Sequence, residues 1–208
     1  MTELYEILSQ FDDDITAIEQ RPIYKNRILF YGSSTFTYWN DESMERQISA
    51  IGGEVPITLN HGFGGSTAEQ ALYYYHRMVR PYSPRIMVFY EGDNDFTIGY
   101  TPEESFSIAV RLYEWFLKDF PESKLFIVGV KYSPARIDII DKHCAYNKMN
   151  YDYAQSRERV HFIDIKSMLY DSDGRARTDI YVEDMLHFNE KGYEDLSAII
   201  QSEIIKQT

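Results

Sequence analysis

Arg27–Trp39 reads RILFYGSSTFTYW, and the interpretation of the whole chain turns on it. Ile28, Leu29 and Phe30 form an apolar run of the length expected for a buried strand, and Gly32 punctuates its end before two hydroxyls and a polar turn. In open α/β sheets, ligands collect outside the carboxyl ends of the strands, so Ser33 and Ser34 stand where chemistry is usually done. The same residues also suit a plain turn that caps the next helix, and by themselves they do not separate the two readings.

The rest of the chain repeats the pattern of apolar run, polar loop and helix. Leu4, Leu8, Phe11, Ile15 and Ile18 recur at helical spacing and predict one amphipathic helix over the first twenty residues, ending before Pro22. After the serines, a helix is expected over 42–51 and a second strand over Pro56–Asn60 (PITLN), which runs into the glycine cluster Gly62–Gly65. Ser66, three residues before Glu69, has capping-box spacing and opens a helix (AEQALYYYHRMV) that stops at Pro81. A third strand, Arg85–Tyr90, leads into Gly-Asp-Asn-Asp at 92–95. Thr101, Pro102 and Glu104 then open a helix striped with Phe106, Val110, Tyr113 and Leu117. Lys124–Val130 reads as a fourth strand, 137–156 as a helix, Val160–Ile165 as a fifth strand, and a last helix starts near Asn189. Five apolar strands alternating with helices, and no two-residue hairpin turn, define an α/β chain with a parallel sheet covered on both faces. No repeat, linker or low-complexity stretch interrupts it, so residues 1–208 are expected to form a single domain, with the N-terminal helix (1–22) part of it.

Composition narrows the function. Twenty-one basic against 33 acidic residues give a net charge of −12, which repels phosphate backbones and anionic membranes, so nucleic acid is not an expected partner. No run is long enough to span a bilayer and the N-terminus lacks the pattern of a secretory signal, so a cytoplasmic protein without membrane insertion is expected. The single cysteine, Cys144, makes no internal disulfide, which suits a reducing compartment, and is read as a packed thiol. Homo-oligomerisation stays open.

Polar residues gather where strands end: Ser34 after the first, Gly65 after the second, Asn94 after the third, Asp184 and His187 after the fifth. Residues distant in sequence would then converge on one sheet edge, as the nucleophile, base and oxyanion donors of acyl transfer require. A serine hydroxyl is a weak nucleophile and needs a neighbouring base. His187 has the right chemistry for that base, and Asp184 for fixing its tautomer. Their three-residue spacing allows contact on one helical turn or a tight loop, although a surface ion pair or half a metal site has the same spacing. Metal is discounted because the other histidines are scattered and no Cys/His cluster has ligand-like spacing. His61 is read as a structural hydrogen-bonder, and Asp93 and Asp95 as loop-fixing carboxylates rather than a glycosidase pair, which would leave Ser34 and His187 idle. Arg136 could meet an acidic substrate group but is read as an exposed ion-pair partner. Phe36, Tyr38, Trp39, Phe63, Phe96 and Tyr132 lie beside these blocks and are candidates for lining an acyl or sugar pocket.

Taken together, GSS at 32–34, GGST at 64–67, GDND at 92–95 and DMLH at 184–187 resemble, in order and spacing, the four signature blocks of the SGNH, or GDSL, hydrolases. The resemblance covers about residues 27–193. It implies a three-layer flavodoxin-like sandwich around a central five-stranded parallel sheet. It also implies a nucleophile at Ser34, an oxyanion hole from Ser34, Gly65 and Asn94, and an acid and base at Asp184 and His187. No cofactor and no metal is implied. Ser33 stands where the family has aspartate and Thr35 where it has leucine; alignment on Gly32 keeps Ser34 as the nucleophile and makes Ser33 a loop-shaping hydroxyl. The function implied is a serine esterase or acylhydrolase that cleaves a small, acetyl-like acyl ester of a carbohydrate or lipid, a small-molecule substrate, through an acyl-enzyme. Two rivals stand beside it. A phosphate- or flavin-binding flavodoxin-like module would use the hydroxyl-rich Ser33–Thr37 loop, against which Phe36 and an unemployed Asp184/His187 pair count. The other is a catalytically silent relative.

Overall fold

A computed structural model describes residues 2–207, with side chains from residue 6 onward; Met1, Thr208 and the side chain of Leu4 lie outside the described residues. Its helices are α1 (Thr2–Ser9), α2 (Asp12–Glu19), α3 (Ser34–Thr37), α4 (Asp41–Ile48), α5 (Ala68–Met78), α6 (Asp93–Thr97), α7 (Pro102–Asp119), α8 (Ile140–Gln155), α9 (Lys166–Leu169) and α10 (Glu190–Gln207). The strands are β1 (Ile28–Gly32), β2 (Thr58–Gly62), β3 (Ile86–Tyr90), β4 (Lys124–Val128) and β5 (Val160–Ile163). All four strand pairings are parallel, in the order β2-β1-β3-β4-β5, with Phe30 opposite Asn60 on one side and Val88 on the other. This is the flavodoxin-like order, whose switch point lies between β1 and β3.

Strand periodicity sorts the core into two halves. Leu29, Tyr31, Met87, Phe89 and Leu125 face a cluster built with α2, α5, α7 and α8, which contribute Ile15, Ala71, Leu112 and Ala154. Ile28, Phe30, Val88 and Phe126 face the other cluster, with Met44 and Ile48 of α4 and Leu196 and Ile200 of α10. A sheet buried on both faces needs near-continuous apolar strands, and all residues of β1 and β3 are buried. Each fully buried side chain such as Phe30 or Phe126 contributes about 1.5–3 kcal/mol of transfer free energy. The one polar atom that β1 sends into this core, the Tyr31 hydroxyl, donates to the Ala71 carbonyl at 2.6 Å, so its burial is compensated.

Several element boundaries differ from expectation for identifiable reasons. The N-terminal helix is two helices, because Phe11 leaves helical geometry (φ −103°, ψ 11°) to pack its ring 5.3 Å from Phe63, and Asp12–Asp14 then start a new helix. β2 begins at Thr58 rather than Pro56. The Glu45 carboxylate accepts the Ile57 and Thr58 N–H groups (2.7 and 2.8 Å), and the register with β1 carries the strand on to Gly62. The capping residue of α5 is Thr67 rather than Ser66: Gln70 Oε1 accepts from Thr67 N (2.9 Å), while the Ser66 hydroxyl is drawn to buried Glu91 (2.6 Å). The segment before α8 is a 3₁₀ turn, Pro134–Ile139, instead of the first turn of that helix. The box opening α7 forms as expected, Thr101 Oγ1 accepting from Glu104 N and Glu104 from Thr101 N. Among the described residues, no helix is long and apolar enough to cross a membrane.

Candidate active site

The turn after β1 is shaped by contact with β3. Gly32 has φ +152°, and a Cβ placed on it would lie 2.0 Å from the Tyr90 carbonyl oxygen, so only glycine permits this approach. Ser33 N donates to that same carbonyl (3.2 Å), and the Ser33 carbonyl accepts from Phe36 N and Thr37 N (2.9 and 3.2 Å), which starts α3. Ser34 is thereby the first residue of a helix at the carboxyl edge of the sheet, 9% exposed.

The Asp184–His187 segment is a tight loop rather than a helical turn. Asp184 Oδ1 accepts from the backbone N–H groups of Leu186 (2.8 Å) and His187 (2.9 Å), while Oδ2 lies 2.6 Å from His187 Nδ1. His187 Nε2 lies 3.0 Å from Ser34 Oγ. The three side chains therefore form one hydrogen-bonded chain, with Ser34 separated from His187 by 153 positions. Desolvation pushes the Asp184 carboxyl up, but the backbone and side-chain hydrogen bonds from His187 and the Leu186 N–H outweigh it and hold the carboxyl at about 2. It is an anion at neutral pH, with its charge directed at Nδ1. The loop is secured by Val182 N to the His187 carbonyl (2.9 Å) and by Ala135 N to the Met185 carbonyl (3.2 Å).

The glycine loop after β2 passes over the serine: a Cβ added at Gly64 would be 3.6 Å from Ser34 Cβ, and Gly65 beside it takes φ +91°. Asn94, on α6, donates through Nδ2 to the Ser66 carbonyl at 2.9 Å, tying the third loop to the second. A primary amide has two N–H groups, so one remains for another acceptor. Around Asn94 stand three buried carboxyls. Glu91 accepts the Ser66 hydroxyl, and burial and the neighbouring Asp95 push it well above the usual range. Asp95 accepts Ala68 N (3.2 Å) and the Ser105 hydroxyl (2.8 Å), and burial raises it to about 6. Asp93 goes the other way. Burial would raise it, but the Lys131 ammonium, 3.0 Å from Oδ2, and neighbouring His143 more than compensate, so it stays ionised.

Other expectations fare unevenly. His61 is buried, its Nδ1 2.8 Å from the Met78 carbonyl, the structural role expected of it. Arg136 is half-buried rather than exposed, its Nε 3.6 Å from Asp93 Oδ1. Cys144 is exposed and not packed, because α8 turns His143, Asn147 and Asn150 inward and leaves the thiol on the outer side. Of the aromatic residues proposed to line a pocket, Phe36, Trp39, Phe63 and Phe96 are core, since α3 and the loops fold back against the sheet. Exposed Tyr38 meets the site directly, its ring 4.6 Å from that of His187 and perpendicular to it. Sequence reasoning misses Lys131, whose signal in the sequence is a cation directly after the fourth apolar run, at the ligand-bearing edge. Among the described residues, no group of three or more His, Cys, Asp or Glu is arranged to hold a metal ion.

With this geometry established, comparison with known proteins identifies the class. The model of the GDSL-like lipase/acylhydrolase family matches residues 30–194, and the chain belongs to that family. Three solved structures illustrate the likeness in fold. A GDSL-like lipase from Bacteroides thetaiotaomicron is 20% identical, with a TM-score of 0.72 over 97% of this chain and 98% of the other. The lipase/acylhydrolase from Enterococcus faecalis is 23% identical, with a TM-score of 0.66 over 86% and 95%. A family 3 carbohydrate esterase from Clostridium thermocellum is 16% identical, with a TM-score of 0.64 over 86% and 94%. No curated protein matches at a significant level.

Proposed function

We propose that this GDSL-like hydrolase is a serine esterase that removes a small, acetyl-like acyl group from a carbohydrate or lipid ester. The observation that carries the reading is the continuous chain from Ser34 Oγ through His187 to the Asp184 carboxylate, at 3.0 and 2.6 Å. In this mechanism Ser34 Oγ attacks the acyl carbonyl as its proton passes to His187 Nε2, and Asp184 stabilises the imidazolium. The oxygen that gains negative charge is received by the Ser34 and Gly65 N–H groups and by Asn94 Nδ2. Collapse expels the alcohol, which takes the proton back from His187. Water, deprotonated by the same base, then releases the acid and restores Ser34. No external cofactor enters the balance.

A carbohydrate leaving group is supported by a cleft of about 250 Å³ beside the site, lined by the exposed ring of Tyr38, by Asn40, Gln47 and Asn189, and by the largely buried rings of Trp39, Phe188 and Tyr193, a lining of ring and amide groups that suits a sugar. The carbohydrate esterase among the structural neighbours points the same way. The flavin or phosphate reading is weakened because the Ser34 hydroxyl is already engaged by His187 and Phe36 is buried in the core. A cytoplasmic setting suits a chain whose one cysteine has no partner for an internal disulfide.

The test is hydrolysis of aryl esters from acetyl to octanoyl, with a fluorophosphonate and mass mapping of its adduct. Acetyl esters should be preferred, the adduct should sit on Ser34, and Ser34→Ala should abolish turnover while Ser33→Ala retains much of it. An adduct on Ser33, or no adduct and no turnover, defeats the assignment.

A further inference from the structure

Lys131 is an ammonium only 1% exposed, just beyond β4, at the carboxyl edge of the sheet. Burying a cation is costly unless every donor is satisfied. Its three N–H groups have three acceptors, at the start of α6, the end of β3 and in α3: Asp93 Oδ2 at 3.0 Å, the Tyr90 hydroxyl at 3.1 Å and Thr35 Oγ1 at 3.2 Å. Thr35 follows Ser34 and Asp93 precedes Asn94. The ammonium also lies 5.9 Å from the ring centroid of Phe188, the residue after His187. One buried charge thus touches the neighbour of the proposed nucleophile, the neighbour of the proposed oxyanion amide and the neighbour of the proposed base.

We infer that Lys131 is a positioning residue, a clamp that holds the loops after β1 and β3 and the histidine loop at fixed separation so that the Ser34 N–H and Asn94 Nδ2 converge on one oxygen. The inference rests on the catalytic roles proposed above for Ser34, Asn94 and His187.

Neutralising Asp93 does not by itself explain the lysine. The Arg136 guanidinium already stands 3.6 Å from Asp93 Oδ1. The hydrogen bond to Thr35, moreover, has no opposing charge to balance. What the lysine adds is a direct side-chain link between Thr35, next to Ser34, and Asp93, next to Asn94, alongside the Ser33 N to Tyr90 carbonyl bond at the base of the turn. Oxyanion stabilisation depends on donors held in advance at the place where charge will develop, so a small drift of either loop should appear in turnover rather than in binding.

Two variants test the clamp. Thr35→Val removes the hydroxyl that Lys131 and the neighbouring Tyr90 hydroxyl share and keeps the shape of the side chain. The paired change Lys131→Met with Asp93→Asn removes the ammonium without stranding a buried carboxylate. Both should keep the wild-type circular dichroism. On an aryl acetate, Thr35→Val should lower kcat about 3–10-fold and the paired variant about 30–100-fold, with KM within about twofold. The combination of all three changes should be no slower than the paired variant, because the tie it removes is already gone. Folded variants with wild-type kcat, a loss confined to KM, or a triple variant showing the full product of the separate losses would each overturn the clamp and leave Lys131 a fold-stabilising ion. Should the paired variant fail to fold, Thr35→Val decides alone: an unchanged kcat overturns the inference and a lowered one supports it. A wild type that neither turns over esters nor takes phosphonate on Ser34 overturns the esterase reading and the clamp with it, whereas an active wild type with unaffected variants overturns the clamp only.

Discussion

The two halves of the site are held by different means. Ser34 is placed by the sheet: its position follows from the approach of Gly32 to Tyr90, the first bonds of α3 and the register of β1 with β3. Asp184 and His187 lie in a stretch without helix or long strand, where the isolated bridge between Tyr181 and Phe188 pins the loop ends. Their geometry is encoded within four residues, since the carboxylate orders the loop through the Leu186 and His187 N–H groups before it reaches the imidazole. The contrast separates what each half tolerates. Damage to the serine turn should propagate into the sheet, whereas chemical change at the acid should stay local.

The largest effect is therefore expected from Gly32→Ala. With a Cβ brought 2.0 Å from the Tyr90 oxygen, β1 and β3 must separate, and a loss of more than about 4 kcal/mol is expected, in the range reserved for severe backbone and core disruption. Urea unfolding measures it; a Gly32→Ala protein of wild-type stability would show that the sheet does not dictate the turn.

Asp184→Asn should behave in the opposite way. The amide oxygen still accepts the two backbone N–H groups, so melting should change little. Its NH₂ now faces Nδ1 and favours the wrong tautomer, and kcat should fall about 10⁴-fold, the scale of the equivalent change in a serine protease triad. Collapse of the fold with this variant would remove the distinction between the halves.

A smaller effect compares two buried groups that flank the glycine loop. Asp95 has its carboxyl raised by burial from 3.8 to about 6, so it favours folding below the unfolded value and that contribution is lost as pH rises through 6. His61, lowered by burial from 6.5 to about 4, favours folding above the unfolded value, and its contribution is lost as pH falls through 4. Each is worth on the order of 3 kcal/mol, and in the wild type the opposed slopes largely cancel between pH 4 and 6.5. Relative to wild type, Asp95→Asn should gain stability as pH rises across that window and His61→Gln should gain it as pH falls. Denaturant titrations at a series of pH values check both, and parallel curves would count against these burial effects.

How much of this was legible in the sequence follows the same division. Strands such as RILFY and RIMVFY are read correctly because a doubly covered parallel sheet demands unbroken apolar runs. The family blocks pointed to Ser34, Asp184 and His187, which do meet. What periodicity missed depends on contacts between distant segments. The break at Phe11 answers to Phe63, the shift of the cap from Ser66 to Thr67 answers to Glu91, and the burial of Lys131 depends on three partners no nearer than 38 positions. Aromatic residues near the motifs were over-read as pocket walls because short helices such as α3 fold their side chains back into the core, a direction that composition does not carry.

Tyr38, more than half exposed, rests perpendicular to the imidazole of His187 at 4.6 Å. A phenol ring so placed imposes its ring current on the imidazole protons of His187. Any acyl group or alcohol that moves the tyrosine aside alters that shift, so the His187 imidazole carries a built-in reporter of occupancy at the group proposed to transfer the proton.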